Sequence, residues 1–300
     1  KEIETNLIKK LNKNDFILIV DYQKGLISRN LFNKIRKKNK NIYVDPKNEP
    51  KLYKGAYLVK PNMKRILNWI GSFNKKKCFE ILKKNNWSWL IVTDGARGVH
   101  IFNKNNYYKR IYVNTKNLKD VSGAGDTFLA TLAYFNYKGL DIPNACRMAA
   151  KASTKVVEKI GVQTIKKEEL LYKSIFTNGV FDLLHKGHYE LFKFCKNIGK
   201  HLIVGINSDL SVKTIKGNHR PINNLNKRIL NLKKVKEIDK IISFKNKTPL
   251  ELIKKLKPDV VVKGGDYVSA NVVGNKFSEI FIFPYIKGYS STKLIKKLKK

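Results

Sequence analysis

The feature that most restricts the fold of this chain is a recurring set of short, β-branched apolar runs. Phe16 to Val20, Ile42 to Val44, Tyr57 to Val59 and Leu90 to Val92 form one series, and Ile175-Phe176, Leu202 to Ile206, Lys240 to Ile242 and Val260 to Val262 form a second. Amphipathic stretches such as Leu31 to Lys38 and Phe79 to Asn85 lie between the runs and predict helices. A strand that is apolar at successive positions has both faces buried, which parallel sheets covered by helices provide. The expected class is therefore α/β with parallel sheets, and any active site should lie beyond the C-terminal ends of the strands.

The chain has 300 residues, more than one ordinary domain of roughly 100–200 residues. Two domains are expected, 1–165 and 174–300, joined by a short linker at 166–173 where Lys166-Lys167-Glu168-Glu169 is charged. No apolar run approaches the roughly 18–20 residues that span a bilayer, and Lys1-Glu2-Ile3-Glu4 lacks the apolar core of a secretory signal. Cys78, Cys146 and Cys195 are far apart with no CxxC pair, so neither a disulfide framework nor a zinc knuckle is implied. A cytoplasmic protein without a membrane partner is expected.

The net charge of +39, from 62 Lys and Arg against 23 Asp and Glu, raises the possibility of nucleic-acid binding. The cations are spread through helices and loops alike, Lys far outnumbers Arg, and no basic block, zinc-finger spacing or RNA-binding aromatic signature stands out. Compositional drift toward Lys, Asn and Ile explains this better than dedicated recognition, so no specific nucleic-acid partner is expected.

The most informative stretch is Ile175-Phe176-Thr177-Asn178-Gly179-Val180-Phe181-Asp182-Leu183-Leu184-His185-Lys186-Gly187-His188. A strand ends, a turn follows, and a helix begins near the second histidine. Gly187 lets backbone approach a phosphate closely, and a helix N-terminus adds free N–H donors and partial positive charge. Two imidazoles facing one point can stabilise charge building on a phosphorus under attack. A zinc reading has no third ligand nearby.

This segment resembles the HxGH nucleotidyltransferase superfamily, in its cytidylyltransferase-like branch. Gly205-Ile206-Asn207-Ser208-Asp209, Lys213, Lys216-Gly217, Arg220-Pro221, Arg228, Val262 to Tyr267 and Ser290-Ser291-Thr292 follow in the family's order. The resemblance implies in-line attack of a substrate phosphate on the α-phosphorus of a nucleoside triphosphate, with pyrophosphate leaving. It assigns His185 and His188 to transition-state stabilisation, and Thr177, Gly179, Phe181, Lys213, Ser291 and Thr292 to the nucleotide. Mg²⁺ is expected on the phosphates with mostly water ligands rather than in a protein cage, so no side chain is assigned as a metal ligand.

Upstream, Asp120-Val121-Ser122-Gly123-Ala124-Gly125-Asp126-Thr127 precedes the apolar helix Leu129 to Phe135. Gly-Ala-Gly at a helix start makes a backbone anion hole, and Asp126 at its edge can take a proton from an attacking hydroxyl. The string resembles the second signature of the ribokinase-like sugar kinases, pfkB type. Asp21 to Gly25, Asp45-Pro46-Lys47, Pro61-Asn62, Val92 to Gly98 and Gly161 fit that family. It implies ATP at Asn62, Gly123, Ala124 and Gly125, with Asp126 catalytic.

A sugar kinase followed by an HxGH transferase resembles the two-domain family that phosphorylates heptose 7-phosphate at C1 and adenylylates heptose 1-phosphate to ADP-heptose for lipopolysaccharide core synthesis. The implied substrates are a sugar phosphate and ATP. The family's kinase portion extends further upstream, so the sugar-binding strands and lid are expected to be absent from this sequence. Asn62-Met63-Lys64-Arg65 places a cation where the family has Glu, and Ala150 stands where it has Asn. An impaired kinase is expected, as is a homodimer formed through the kinase portion. Two other functions stay open, a CTP-dependent transferase for an alcohol phosphate and a basic nucleic-acid-binding protein.

Overall fold

The computed structural model describes residues 2–113, 119–161, 163–265 and 271–284. They fall into two compact units, Lys1–Lys166 and Lys167–Lys300.

The first unit contains α1 (Glu2–Lys10), β1 (Ile17–Val20), α2 (Arg29–Lys38), β2 (Ile42–Asp45), β3 (Leu58–Val59), α3 (Met63–Ile70), α4 (Lys75–Lys84), β4 (Trp89–Thr93), β5 (Val99–Asn103), β6 (Tyr108–Ile111), α5 (Ala124–Tyr137) and α6 (Ile142–Val157). The strands form one sheet in the order β1-β2-β3-β4-β5-β6. β1 to β4 run parallel, while β5 and β6 are antiparallel to their neighbours. The expected strands at 16–20, 42–44, 57–59 and 90–92 overlap β1 to β4, whose inner positions Ile42, Val44, Val59, Leu90 and Val92 join Phe32, Leu82 and Trp87 in the core. Ser28, Asn62, Asn74 and Asp141 cap α2, α3, α4 and α6 by accepting a first-turn N–H, which fixes where those helices begin.

The second unit contains α7 (Lys167–Leu170), β7 (Tyr172–Gly179), α8 (Lys186–Ile198), β8 (Gly199–Asn207), α9 (Asp209–Lys216), α10 (Leu225–Lys233), β9 (Lys240–Phe244), α11 (Leu250–Leu256), β10 (Val260–Gly264) and β11 (Glu279–Phe283). Its sheet is parallel throughout, in the order β11-β10-β7-β8-β9. Strand order reverses beside β7, so the crevice at the C-terminal ends of β7 and β10 is where such a sheet binds ligand. That end of β7 leads into the histidine turn.

Two features differ from expectation. The stretch 166–173 is not a bare linker, because it holds α7 and the start of β7. The antiparallel hairpin β5–β6 also sits at the end of an otherwise parallel sheet, closed by a turn in which Asn106 takes φ +61°.

Candidate active sites

In the first unit, the loops at the C-terminal ends of β2, β3 and β4 meet the start of α5 and the body of α6 around a cavity of about 520 Å³. The structure brings Asn62, Gly123, Ala124, Gly125 and Asp126 to its wall, along with Ala150. Gly123 caps α5 in the left-handed conformation at φ +74°, which explains why Gly stands there. Behind the loop the Ser153 hydroxyl donates to the Ala124 carbonyl at 3.0 Å, tying the loop to α6.

Beneath Gly125 lies an ion pair that no local motif announces. Lys60 Nζ is 2.9 Å from Asp45 Oδ2, with their side chains only 3% and 12% exposed. A Cβ placed on Gly125 would lie 3.4 Å from both atoms, so the anion hole rests on this pair. Lys60 is buried against the cavity where a phosphate would enter, and its signal in the sequence was its place after β3, just before Pro61. Asp94, after β4, is gripped by Arg97 through two bonds of 2.9 and 2.8 Å. Asp120 accepts the N–H groups of Ser122 at 2.8 Å and Gly161 at 3.1 Å, and the Ser122 bond foremost holds its carboxyl below the usual range.

Asn62 behaves as a helix cap, its Oδ1 accepting the Arg65 N–H at 2.8 Å. Arg65 is not among the residues lining the cavity.

In the second unit, β7 ends at Gly179 and the chain turns through Phe181, whose φ is +48°. The Phe181 ring folds back over Gly179, where a Cβ would approach it to 3.1 Å, a tight contact that the ring would have to yield to. His185 is the N-cap of α8 and makes no side-chain capping bond. The rings of His185 and His188 stack with centroids 3.8 Å apart at 22°, and Phe181 meets His188 edge-on at 5.2 Å. Burial, and then the neighbouring His185, lower the His188 pKa to about 3, while burial lowers that of His185. Both rings are neutral at pH 7, and each carries one N–H able to donate to a phosphate oxygen.

Buried polar atoms of this turn, of β7 and of the loop before α10 are short of partners. His185 Nδ1, His188 Nδ1, Thr177 Oγ1 and Arg220 Nε are buried without a hydrogen bond among the described residues. Unpartnered buried polar groups cost free energy, and the two ring nitrogens at one turn point to a ligand that completes them. Asp182 and Arg228 beside it, by contrast, are tied on several sides. The Asp182 carboxylate, 1% exposed, accepts the N–H groups of Ile222 and Asn223 at 2.8 Å each and pairs with Arg220 at 2.8 Å. Arg228 is completely buried and donates to the carbonyls of Val180 at 2.7 Å, Asn207 at 2.8 Å and Asn223 at 3.1 Å, and to Asp209 Oδ1 at 2.6 Å. One guanidinium therefore clamps the loops after β7, after β8 and before α10. Arg228 was visible in the sequence as part of a motif, but its clamping role was not.

Lys213 is exposed on α9 and forms no ion pair or side-chain hydrogen bond among the described residues. Lys263, on β10 beside β7, instead reaches Asn178 Oδ1 at 3.3 Å, and its burial lowers its pKa. Ser291 and Thr292 lie outside the described residues, as do Asp266 and Tyr267. Among the described residues no group of three or more His, Cys, Asp or Glu could hold a metal ion.

Comparison with known proteins finds a family model for each part of the chain. Residues 11–169 match the pfkB family carbohydrate kinases, and residues 176–297 match the cytidylyltransferase-like family. The whole chain is 35% identical to the Bifunctional protein HldE of a Nitratiruptor species, covering 75% of that protein. It is 33% identical, over 99% of its own length and 72% of the relative's, to the Bifunctional protein HldE of Helicobacter hepaticus. Among solved structures, Arabidopsis thaliana ribokinase complexed with ribose and ATP aligns at 17% identity with a TM-score of 0.44, over 54% of this chain and about half, 55%, of that one. The chain belongs to the bifunctional HldE family and is an enzyme that joins a kinase to a nucleotidyltransferase.

Proposed function

We propose that the second unit transfers AMP from ATP to D-glycero-β-D-manno-heptose 1-phosphate, giving ADP-heptose and pyrophosphate for lipopolysaccharide core synthesis. The observation that carries this is the stacked, neutral pair His185–His188, whose Nδ1 atoms have no hydrogen-bond partner among the described residues, at the start of α8. An oxygen of the sugar phosphate attacks the α-phosphorus, the bond to the bridging oxygen breaks, and pyrophosphate departs. The imidazole N–H groups and the open N–H groups at the start of α8 meet the charge that develops on phosphate oxygens. Holding both reactants in line supplies the rest of the barrier reduction. Mg²⁺, when bound, neutralises phosphate charge and keeps mostly water ligands, which fits a site whose described residues offer histidines and backbone rather than a carboxylate cluster.

The first unit, on the same reading, phosphorylates heptose 7-phosphate at C1, with Asp126 as base, Gly123 to Gly125 as the anion hole and the Lys60–Asp45 pair beneath it. Arg65 in place of a Glu weakens retention of the metal–phosphate complex, so this activity is slower than AMP transfer. The enzyme acts as a cytoplasmic homodimer. Among the described residues no helix is long and apolar enough to cross a membrane.

A nucleotide-preference assay tests the assignment. Pyrophosphate release from heptose 1-phosphate with ATP, and little with CTP, is expected. Strong CTP turnover, or turnover only with a simple alcohol phosphate, sinks the heptose reading. Binding to duplex DNA that persists at physiological salt with sequence preference supports the nucleic-acid reading instead.

A further inference from the structure

Tyr22 is 61% exposed, yet its hydroxyl donates to Asp126 Oδ2 at 2.8 Å across 104 positions of sequence. Its ring lines the same cavity as the anion hole. An exposed tyrosine usually samples several rotamers, but this one leaves a backbone pinned on both sides. Asp21, 3% exposed, donates its N–H to the Asp45 carbonyl at 3.1 Å. The Asp21 carboxylate accepts the Tyr53 hydroxyl, the Asn48 side-chain amide at 2.7 Å and the Gln23 N–H at 2.7 Å. Gln23 takes φ +59°, which the Asp21 bond stabilises. This network fixes where the Tyr22 side chain starts, and α5 fixes where Asp126 stands.

We propose that Tyr22 is a positioning residue for phosphate transfer in the first unit, holding the Asp126 carboxylate by its Oδ2 so that Oδ1 faces the acceptor hydroxyl. The inference rests on the kinase reading of this cavity. In the step it serves, the acceptor hydroxyl gives its proton to Asp126, its oxygen bonds to the γ-phosphorus of ATP, and the bond to the β–γ bridging oxygen breaks to release ADP. Tyr22 keeps its own proton throughout. The Asp126 hydrogen bond foremost, and the charges of Asp126 and Asp45, raise the phenol's pKa, which keeps it a donor at neutral pH. A carboxylate on the first turn of a helix can rotate about its side-chain torsions, and misorientation of a base costs rate rather than nucleotide affinity.

The test uses the full chain with ¹³Cζ-tyrosine labelling together with steady-state phosphorylation of heptose 7-phosphate by ATP. The Tyr22 resonance is expected to titrate above the ordinary phenol value of roughly 10, and to move down toward it in Asp126→Asn. Tyr22→Phe is expected to lower kcat about tenfold with KM for ATP changed less than about twofold, and to add nothing further in the Asp126→Asn background. An unchanged urea midpoint in the fluorescence of Trp69, Trp87 and Trp89, all in the first unit, reports that the variant's first unit is folded. An unmoved resonance, an unchanged kcat, or an effect that persists in full without Asp126 overturns the proposal while leaving the kinase reading standing. If the unmodified chain transfers no phosphate, the kinase reading falls and takes the catalytic role of Tyr22 with it, whatever the resonance shows.

Discussion

The two sites of this protein treat their polar groups in opposite ways. In the first unit's cavity the lining carboxylates are already engaged, Asp126 by Tyr22 and Asp45 by Lys60. Among the described residues of the first unit, the buried atoms without partners are Arg36 Nε and Arg110 Nε, and neither belongs to the cavity lining. At the histidine turn the reverse holds, since His185 Nδ1 and His188 Nδ1 are left without partners among the described residues. A site that works by proton abstraction needs one oriented carboxylate, so a surrounding network is useful. A site that works by meeting charge on a phosphate needs donors that no protein group has claimed. The unpartnered turn is held in shape by a second layer, Asp182 and Arg228, which satisfies backbone rather than ligand.

The contrast is sharpest at the histidines, where the largest effect is expected. His188→Ala should lower kcat for AMP transfer by roughly 10²–10³-fold with a smaller change in KM for ATP, and leave phosphate transfer untouched. Arg228→Met leaves three loop carbonyls without their donor and should destabilise the second unit by about 3 kcal/mol. Hydrogen exchange of the β7 amides reads that loss locally. Lys60→Met strands Asp45 in a nearly buried site and should cost the first unit about 2 kcal/mol. Trp69, Trp87 and Trp89 are the chain's 3 tryptophans and all lie in the first unit, so urea unfolding followed by their fluorescence isolates this effect. Equal damage to both units by either change breaks the comparison.

The smallest effect concerns pH. His188 has its pKa lowered from the ordinary 6.5 to about 3, so the unfolded chain binds the proton more readily than the folded one. The neutral ring's contribution to stability is present above about 6.5 and is lost as pH falls from there toward 3. His188→Phe keeps an aromatic ring against Phe181, removes the unpartnered nitrogen, and should gain on the order of 1 kcal/mol at pH 5 while abolishing AMP transfer. A variant that loses stability at pH 5 relative to the unmodified chain contradicts a neutral, ligand-awaiting ring.

Much of the fold was legible because buried parallel strands are apolar at successive positions. β5, β6 and β11 were not read, since Val99-His100-Ile101-Phe102-Asn103 and Tyr108-Lys109-Arg110-Ile111 mix polar residues into an edge hairpin and Glu279 opens β11 with a charge. The histidine turn and the Gly-Ala-Gly hole could be read because their parts are neighbours in sequence. The Lys60–Asp45 and Tyr22–Asp126 contacts could not, because tertiary structure alone brings them together. Lys213, a motif position, is exposed on α9. Ser291 and Thr292 lie outside the described residues.

Nucleotidyl transfer in the second unit is expected to depend on the histidine pair, whose Nδ1 atoms lack partners among the described residues. The most direct test is pyrophosphate release by the purified chain with ATP, Mg²⁺ and heptose 1-phosphate, beside His185→Ala. Release of ADP-heptose and pyrophosphate that the variant loses by about 10²-fold or more is the predicted result. A folded chain with no release, or release that the variant retains in full, would contradict the account.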